Sequence, residues 1–159
     1  MTGAARTHLA QLNVGRLRYP MDDPRLAEFM DNLDRVNALA ERMPGFVWRL
    51  QDDGGNATAF RISDDPQVIA NMSVWENAQA LETYVFQTLH AKFYKRRGDW
   101  FEPFEGPHLV FWWIEAGHRP TLAEAGARLR HLADNGPTKH AFGWAELIDI
   151  ERWRSQRCA

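Results

Sequence analysis

Cysteine is almost missing from this chain. Cys158 stands alone among 159 residues, so no intramolecular disulfide can form. That fits a reducing compartment and gives a cytoplasmic expectation. Long apolar runs are also missing. The longest, residues 109–114, has the size of a strand and falls far short of the roughly 20 residues that a membrane helix needs. Residues 1–7 have no apolar stretch of the kind a secretory leader carries. Charge of one sign is missing too: the net charge is -2, which argues against a nucleic-acid partner. The one dense basic group is Lys92, Lys95, Arg96 and Arg97, which reads as a solvated helix end. There is no H-E-x-x-H, C-x-x-C or H-x-H, so no metal site is expected, and no G-x-S-x-G nucleophile turn. Gly54-Gly55 falls in a turn between strands, where it cannot open a helix as a phosphate loop must.

Tryptophan is plentiful. Seven are spread along the chain: Trp48, Trp75, Trp100, Trp112, Trp113, Trp144 and Trp153. Each is bulky and needs a partner for its N–H when buried. Such a set fits a bulky core, a subunit interface or an aromatic-lined cavity.

The periodicity predicts one α+β domain over residues 8–150, followed by a polar tail at 151–159. Residues 8–17 (HLAQLNVGRL) read as a first strand. Asp23 and Pro24 then cap and start a helix whose apolar residues, Leu26 to Ala40, recur at three-and-four spacing until Pro44-Gly45 stops it. Residues 46–50 are strand-like, residues 58–62 a possible extra strand, and residues 68–75 (VIANMSVW) a central strand. Asn77 caps a second helix carrying Leu81, Tyr84, Val85, Thr88, Leu89 and Phe93 on one stripe. After an aromatic loop come a strand at 108–114, a capping box from Thr121 to Glu124 opening a third helix, and a last strand at 141–148. The order β-α-β-β-α-β is the ferredoxin-like arrangement, with an added C-terminal α-β unit. The strand at 108–114 is apolar at both parities, so both sheet faces must be covered. Helices cover one face. A second copy of the chain would cover the other, which predicts a homodimer; the alternative is that loops and the last helix cover it within one chain.

The stretches PGFVWRL (44–50), NMSVWENAQALETYV (71–85), His90 with Arg96-Arg97, and LVFWWIEAGHRPTLAEA (109–125) resemble an uncharacterised, mostly bacterial domain-of-unknown-function family, number 3291. That family is placed with the dimeric α/β-barrel superfamily, which also holds antibiotic-biosynthesis monooxygenases and haem-degrading monooxygenases. The resemblance implies that fold and a dimer. It implies a cofactor-independent monooxygenase acting on an aromatic or polyketide-like molecule, with Asn13 and His90 as catalytic residues. The alternatives are a haem-binding or haem-degrading protein, with His90 as axial ligand, and a non-enzymatic binding module. In the haem-degrading relatives a tryptophan stands where this chain has Tyr84, and Tyr94 falls at the place matching their histidine.

The residues themselves give the same candidates. Asn13 interrupts a strand, where asparagine is disfavoured. Asn71 and Ser73 interrupt the third strand on the face that carries Trp75. His90 shares a helix face with Phe86, Phe93 and Tyr94, and titrates near neutrality. Trp48, Ser73, Trp75, Tyr84 and Trp113 are the expected substrate-binding residues; Trp100, Phe101 and Phe104 widen the aromatic set.

Overall fold

A computed structural model describes residues 6–51, 64–103 and 105–147. The possible strand at 58–62, the tail at 151–159, Phe104, Trp153 and Cys158 lie outside the described residues.

Among the described residues the sheet has four antiparallel strands: β1 (Thr7–Arg16), β2 (Phe46–Arg49), β3 (Val68–Trp75) and β4 (Leu109–Glu115). Their spatial order is β2-β3-β1-β4, the ferredoxin-like order with β1 and β3 in the middle. The long helix α1 (Ala27–Arg42) follows a short 3-10 turn, Pro24–Leu26, which Asp23 caps by accepting from the Arg25 N–H at 2.9 Å. Asn77 accepts from the Ala80 N–H at 2.8 Å and starts α2 (Ala78–Gln87). Thr121 accepts from the Glu124 N–H at 3.1 Å and starts α5 (Leu122–Asn135). Three polar residues chosen on cap chemistry alone thus sit at three helix starts.

The second helix differs from its expected form. It breaks at Thr88, whose backbone is extended. The Thr88 hydroxyl donates back to the Tyr84 carbonyl and accepts from the His90 N–H, ending α2 and capping α3 (Leu89–Lys95) with one side chain. A short α4 (Arg97–Trp100) follows.

The expected last strand at 141–148 is corrected. Among the described residues of this run, Phe142 alone pairs with β4, exchanging hydrogen bonds with Phe111 at 2.8 and 3.0 Å. Residues 144–147 then form a helical turn, capped where Glu146 accepts from the Gly143 N–H at 2.9 Å. Ala, Glu and Leu in that run are good helix formers, and a short apolar run does not separate strand from helix by period.

Strand alternation sorts the core into two layers. Leu9, Gln11, Asn13 and Gly15 of β1 share a face with Trp75, Ser73, Asn71 and Ile69 of β3, and with Leu109, Phe111 and Trp113 of β4. α1 and α2 pack on that face through Val36, Leu39, Ala40, Leu81, Tyr84 and Val85. The opposite face carries Ala10, Leu12, Val14, Ala70, Met72, Val74, Val110, Trp112 and Ile114. None of these nine is more than 6 % exposed within the single chain, and Leu122, Ala125, Leu129 and Leu132 of α5 pack against them. The bare face that called for a second copy is therefore covered by the chain's own third-layer helix.

Gly45 holds the junction between α1 and β2. Its φ is 86°, its carbonyl accepts from the Glu76 N–H at 2.7 Å, and an added Cβ would stand 2.5 Å from the Ala80 Cβ. Gly45→Ala combines left-handed strain with a backbone-fixed clash. It is expected to cost about 2–4 kcal/mol, read as a lower denaturation midpoint with unchanged slope in urea.

Candidate functional site

On the face covered by α1 and α2, two apolar clusters stand at either end. One holds Leu9, Trp75, Tyr84 and Phe111; the other holds Leu17, Ile69, Trp100 and Phe101. Between them runs a polar strip made by Gln11, Asn13, Asn71 and Ser73 of the two central strands. Asn13 and Asn71 are direct cross-strand partners, and both are exposed. Gln11 and Ser73 are the next pair along and are buried. The strip is thus a floor whose outer pair meets solvent and whose inner pair does not.

The inner pair is tightly bonded. The Gln11 carboxamide nitrogen donates to Asn71 Oδ1 and to Ser73 Oγ, each at 2.8 Å. Trp75 Nε1 donates to the same Ser73 Oγ at 2.9 Å. Ser73 thereby accepts two bonds while buried, which makes it a bracket for its neighbours. Trp75 has no exposed surface and stacks on Tyr84 with ring centroids 5.2 Å apart. Tyr84 lies against His90 at 4.9 Å and donates its hydroxyl hydrogen to the Val36 carbonyl at 3.0 Å. Burial pushes the Tyr84 phenol well above its usual range, so it stays protonated.

His90 is half-buried near the start of α3, between Tyr84 and Tyr94, the latter stacked at 6.3 Å. Its Nδ1 lies 3.2 Å from the Val85 carbonyl. A carbonyl only accepts, so Nδ1 carries the hydrogen and Nε2 keeps its lone pair in the neutral ring. Burial lowers the His90 pKa, partly offset by the Val85 bond. A lowered folded pKa means that the unfolded chain takes up a proton first as pH falls. Stability contributed by the neutral ring is complete above the ordinary histidine pKa of about 6.5 and declines below it, until His90 itself protonates. His108, also lowered by burial and by Arg97, adds to the same slope. His90→Gln is expected to flatten the decline of urea stability between pH 7 and pH 5, and His90→Gln with His108→Gln to flatten it further.

The sequence missed two residues of this region. Gln11 follows from alternation: it stands two residues before Asn13, so it faces the same way. Arg49 lies opposite Ser73 on β2, buried, with Nε donating to Glu41 Oε1 of α1 at 2.9 Å. No local pattern marks it, because its partner comes from another element.

The structure brings Ser73, Trp75, Tyr84 and His90 into one chain of contacts, with Asn13 on the same face. It places Trp100 and Phe101 at the far wall: Phe101 lies so close over Gly15 that a Cβ there would be 2.6 Å from its ring. Trp48 pairs with Val74 and packs with the opposite layer. Trp113 packs beside Phe142, at 6.4 Å, on β4. Two recesses lie apart from the strip. One of about 370 Å³ is lined by Arg35, Ala38, Leu39, Arg42 and Leu89; one of about 310 Å³ includes Trp113, His118, Glu124 and Arg128.

An axial haem bond would have to come from His90 Nε2, and neither of these two recesses includes His90. Among the described residues, no three potential metal ligands cluster, and no helix is long and apolar enough to cross a membrane.

Comparison with known proteins gives one family and a set of structures. The profile of a family described as a domain of unknown function (DUF3291) matches residues 8–158. No curated protein matches. Among solved structures, SnoaB of Streptomyces nogalater, described as a cofactor-independent oxygenase, is 17 % identical over 73 % of this chain and 97 % of its own, with a TM-score of 0.47. PA3566 of Pseudomonas aeruginosa is 16 % identical over 73 % of this chain and all of its own (100 %), with a TM-score of 0.45. A Nitrosomonas europaea protein of unknown function is 13 % identical over 74 % of this chain and 97 % of its own, with a TM-score of 0.44.

Proposed function

Since the chain belongs to the DUF3291 family, which carries no assigned activity, we propose a function from the polar strip: it binds a flat aromatic or polyketide-like molecule and oxygenates it without a cofactor. The observation that carries this reading is the exposed pair Asn13 and Asn71, two carboxamides facing each other at the outer end of a polar strip that runs between two apolar clusters. Neither side chain has a bonding partner for its nitrogen among the described residues. Strand interiors disfavour asparagine, and a pair set between two aromatic walls matches a ligand floor: apolar sides with a few placed polar groups.

The reaction is the oxidation of an activated methylene flanked by aromatic rings. His90 Nε2 takes a proton from that carbon, leaving an electron-rich carbanion that the neighbouring ring oxygens share. The carbanion reduces dioxygen and joins it as a hydroperoxide. The hydroperoxide loses water, so that CH2 and O2 become C=O and H2O. Asn13 and Asn71 hydrogen-bond the substrate oxygens on which the negative charge collects. Ser73, Trp75 and Tyr84 hold the floor and His90 in place, and the aromatic walls keep water from the carbanion.

Oxygen uptake with 1,8-dihydroxyanthrone, corrected for its uncatalysed oxidation, tests the proposal. The expected result is catalysis by the wild type and a loss of at least tenfold in kcat/KM in Asn13→Ala. A wild type that neither binds nor turns over this anthrone rejects it and leaves the non-enzymatic module. We keep the homodimer and a cytoplasmic location within this proposal. The dimer rests on the superfamily resemblance alone, because α5 covers the sheet face that argued for it. Sedimentation at micromolar concentration decides it.

A further inference from the structure

We propose that Gln11 is a positioning residue that sets the polarity of the strip: by holding Asn71 Oδ1 inward, it turns the Asn71 N–H groups toward the ligand. The ligand is that of the oxygenase reading above; the bonding itself does not depend on it.

Gln11 is 6 % exposed and sits in the middle of β1, opposite Ser73 and diagonal to Asn71. A carboxamide nitrogen has two hydrogens, and both are used here, on Asn71 Oδ1 and on Ser73 Oγ. Asn71 is the exposed member of this set. With its oxygen taken from the buried side, its nitrogen keeps two hydrogens and no acceptor among the described residues. The floor therefore offers donors, and it selects ligands that bring oxygen acceptors, such as a ketone or an ionised phenol. The reversed pair, in which Gln11 Oε1 accepts from Asn71, would present an acceptor instead and select the opposite chemistry. Which end of Asn71 meets the ligand is thus decided by a residue that the ligand does not touch.

Gln11→Glu separates the two arrangements, since it keeps the shape and leaves only acceptors at neutral pH. If Gln11 donates in the wild type, the introduced carboxylate draws the Asn71 N–H groups inward. Their side-chain amide resonances then move downfield at pH 7.5 and return once the pH is lowered far enough to protonate the carboxyl. Binding of 1,8-dihydroxyanthraquinone weakens about tenfold at pH 7.5 and recovers in acid, while the wild type changes little. Gln11→Met, which removes the hold without reversing it, gives an intermediate affinity. Unchanged Asn71 resonances and affinity in Gln11→Glu would overturn the proposal, because a carboxylate would then be replacing an oxygen that already accepted. If the anthraquinone fails to bind the wild type, the oxygenase reading falls, and the Asn71 resonances of the unliganded protein still decide the role of Gln11.

Discussion

Trp75→Ala is expected to lower folding stability by about 3–5 kcal/mol, the largest single-site loss predicted for this chain. Trp75 is wholly buried at the end of β3. It stacks on Tyr84 at 5.2 Å, meets Phe46 edge-on at 5.4 Å, and donates to Ser73 Oγ. Truncation opens a cavity between the sheet and both α1 and α2, and it strips Ser73 of one of its two donors. Trp75→Phe separates these effects. It keeps most of the ring packing and loses the N–H, so a cost near 1–2 kcal/mol is expected, with Gln11 still holding Ser73. Urea denaturation followed by circular dichroism measures both. A loss under 1 kcal/mol in the alanine variant would show that the two helices close over the gap.

His90→Ala is expected to lower kcat for 1,8-dihydroxyanthrone by about 10²–10⁴-fold with little change in KM. The side chain supplies the base in the proposed step and contributes little to ground-state binding. Because burial lowers its pKa, the wild-type rate should level off at a pH below that of a free imidazole and fall only on the acid side. His90→Ala should remove that acid limb together with the rate, and added imidazole should restore part of it. Equal rates in wild type and variant would assign proton transfer elsewhere on the floor.

The local chemistry of this chain is legible from its sequence, and its long-range choices are less so. Asp23, Asn77 and Thr121 were readable as helix starts because a cap needs only its own next three residues. Asn13, Asn71 and Ser73 were readable as one face because strand alternation is fixed at two. The break at Thr88 was hidden because a threonine fits the apolar stripe as well as it caps a new helix. Residues 141–148 were misread because a run that short carries no decisive period. Gln11 shares the face of Asn13 by alternation, but its bonding to Ser73 and Asn71, like that of Arg49 to Glu41, became visible only when the elements stood side by side, since those partners lie on other elements. The choice between α5 and a second copy as cover for the far face is likewise tertiary. The apolar pattern requires a cover and does not say whose.

That α5 is the cover has a consequence for mass action. A sheet roofed by a separate molecule loses its roof on dilution, and its melting temperature then depends on protein concentration. Here the roof is tethered to β4 by residues 116–121, so its local concentration is set by that short connection and not by the amount of protein present. The cover over the core layer of Ala10, Leu12, Met72 and Trp112 therefore does not itself depend on protein concentration.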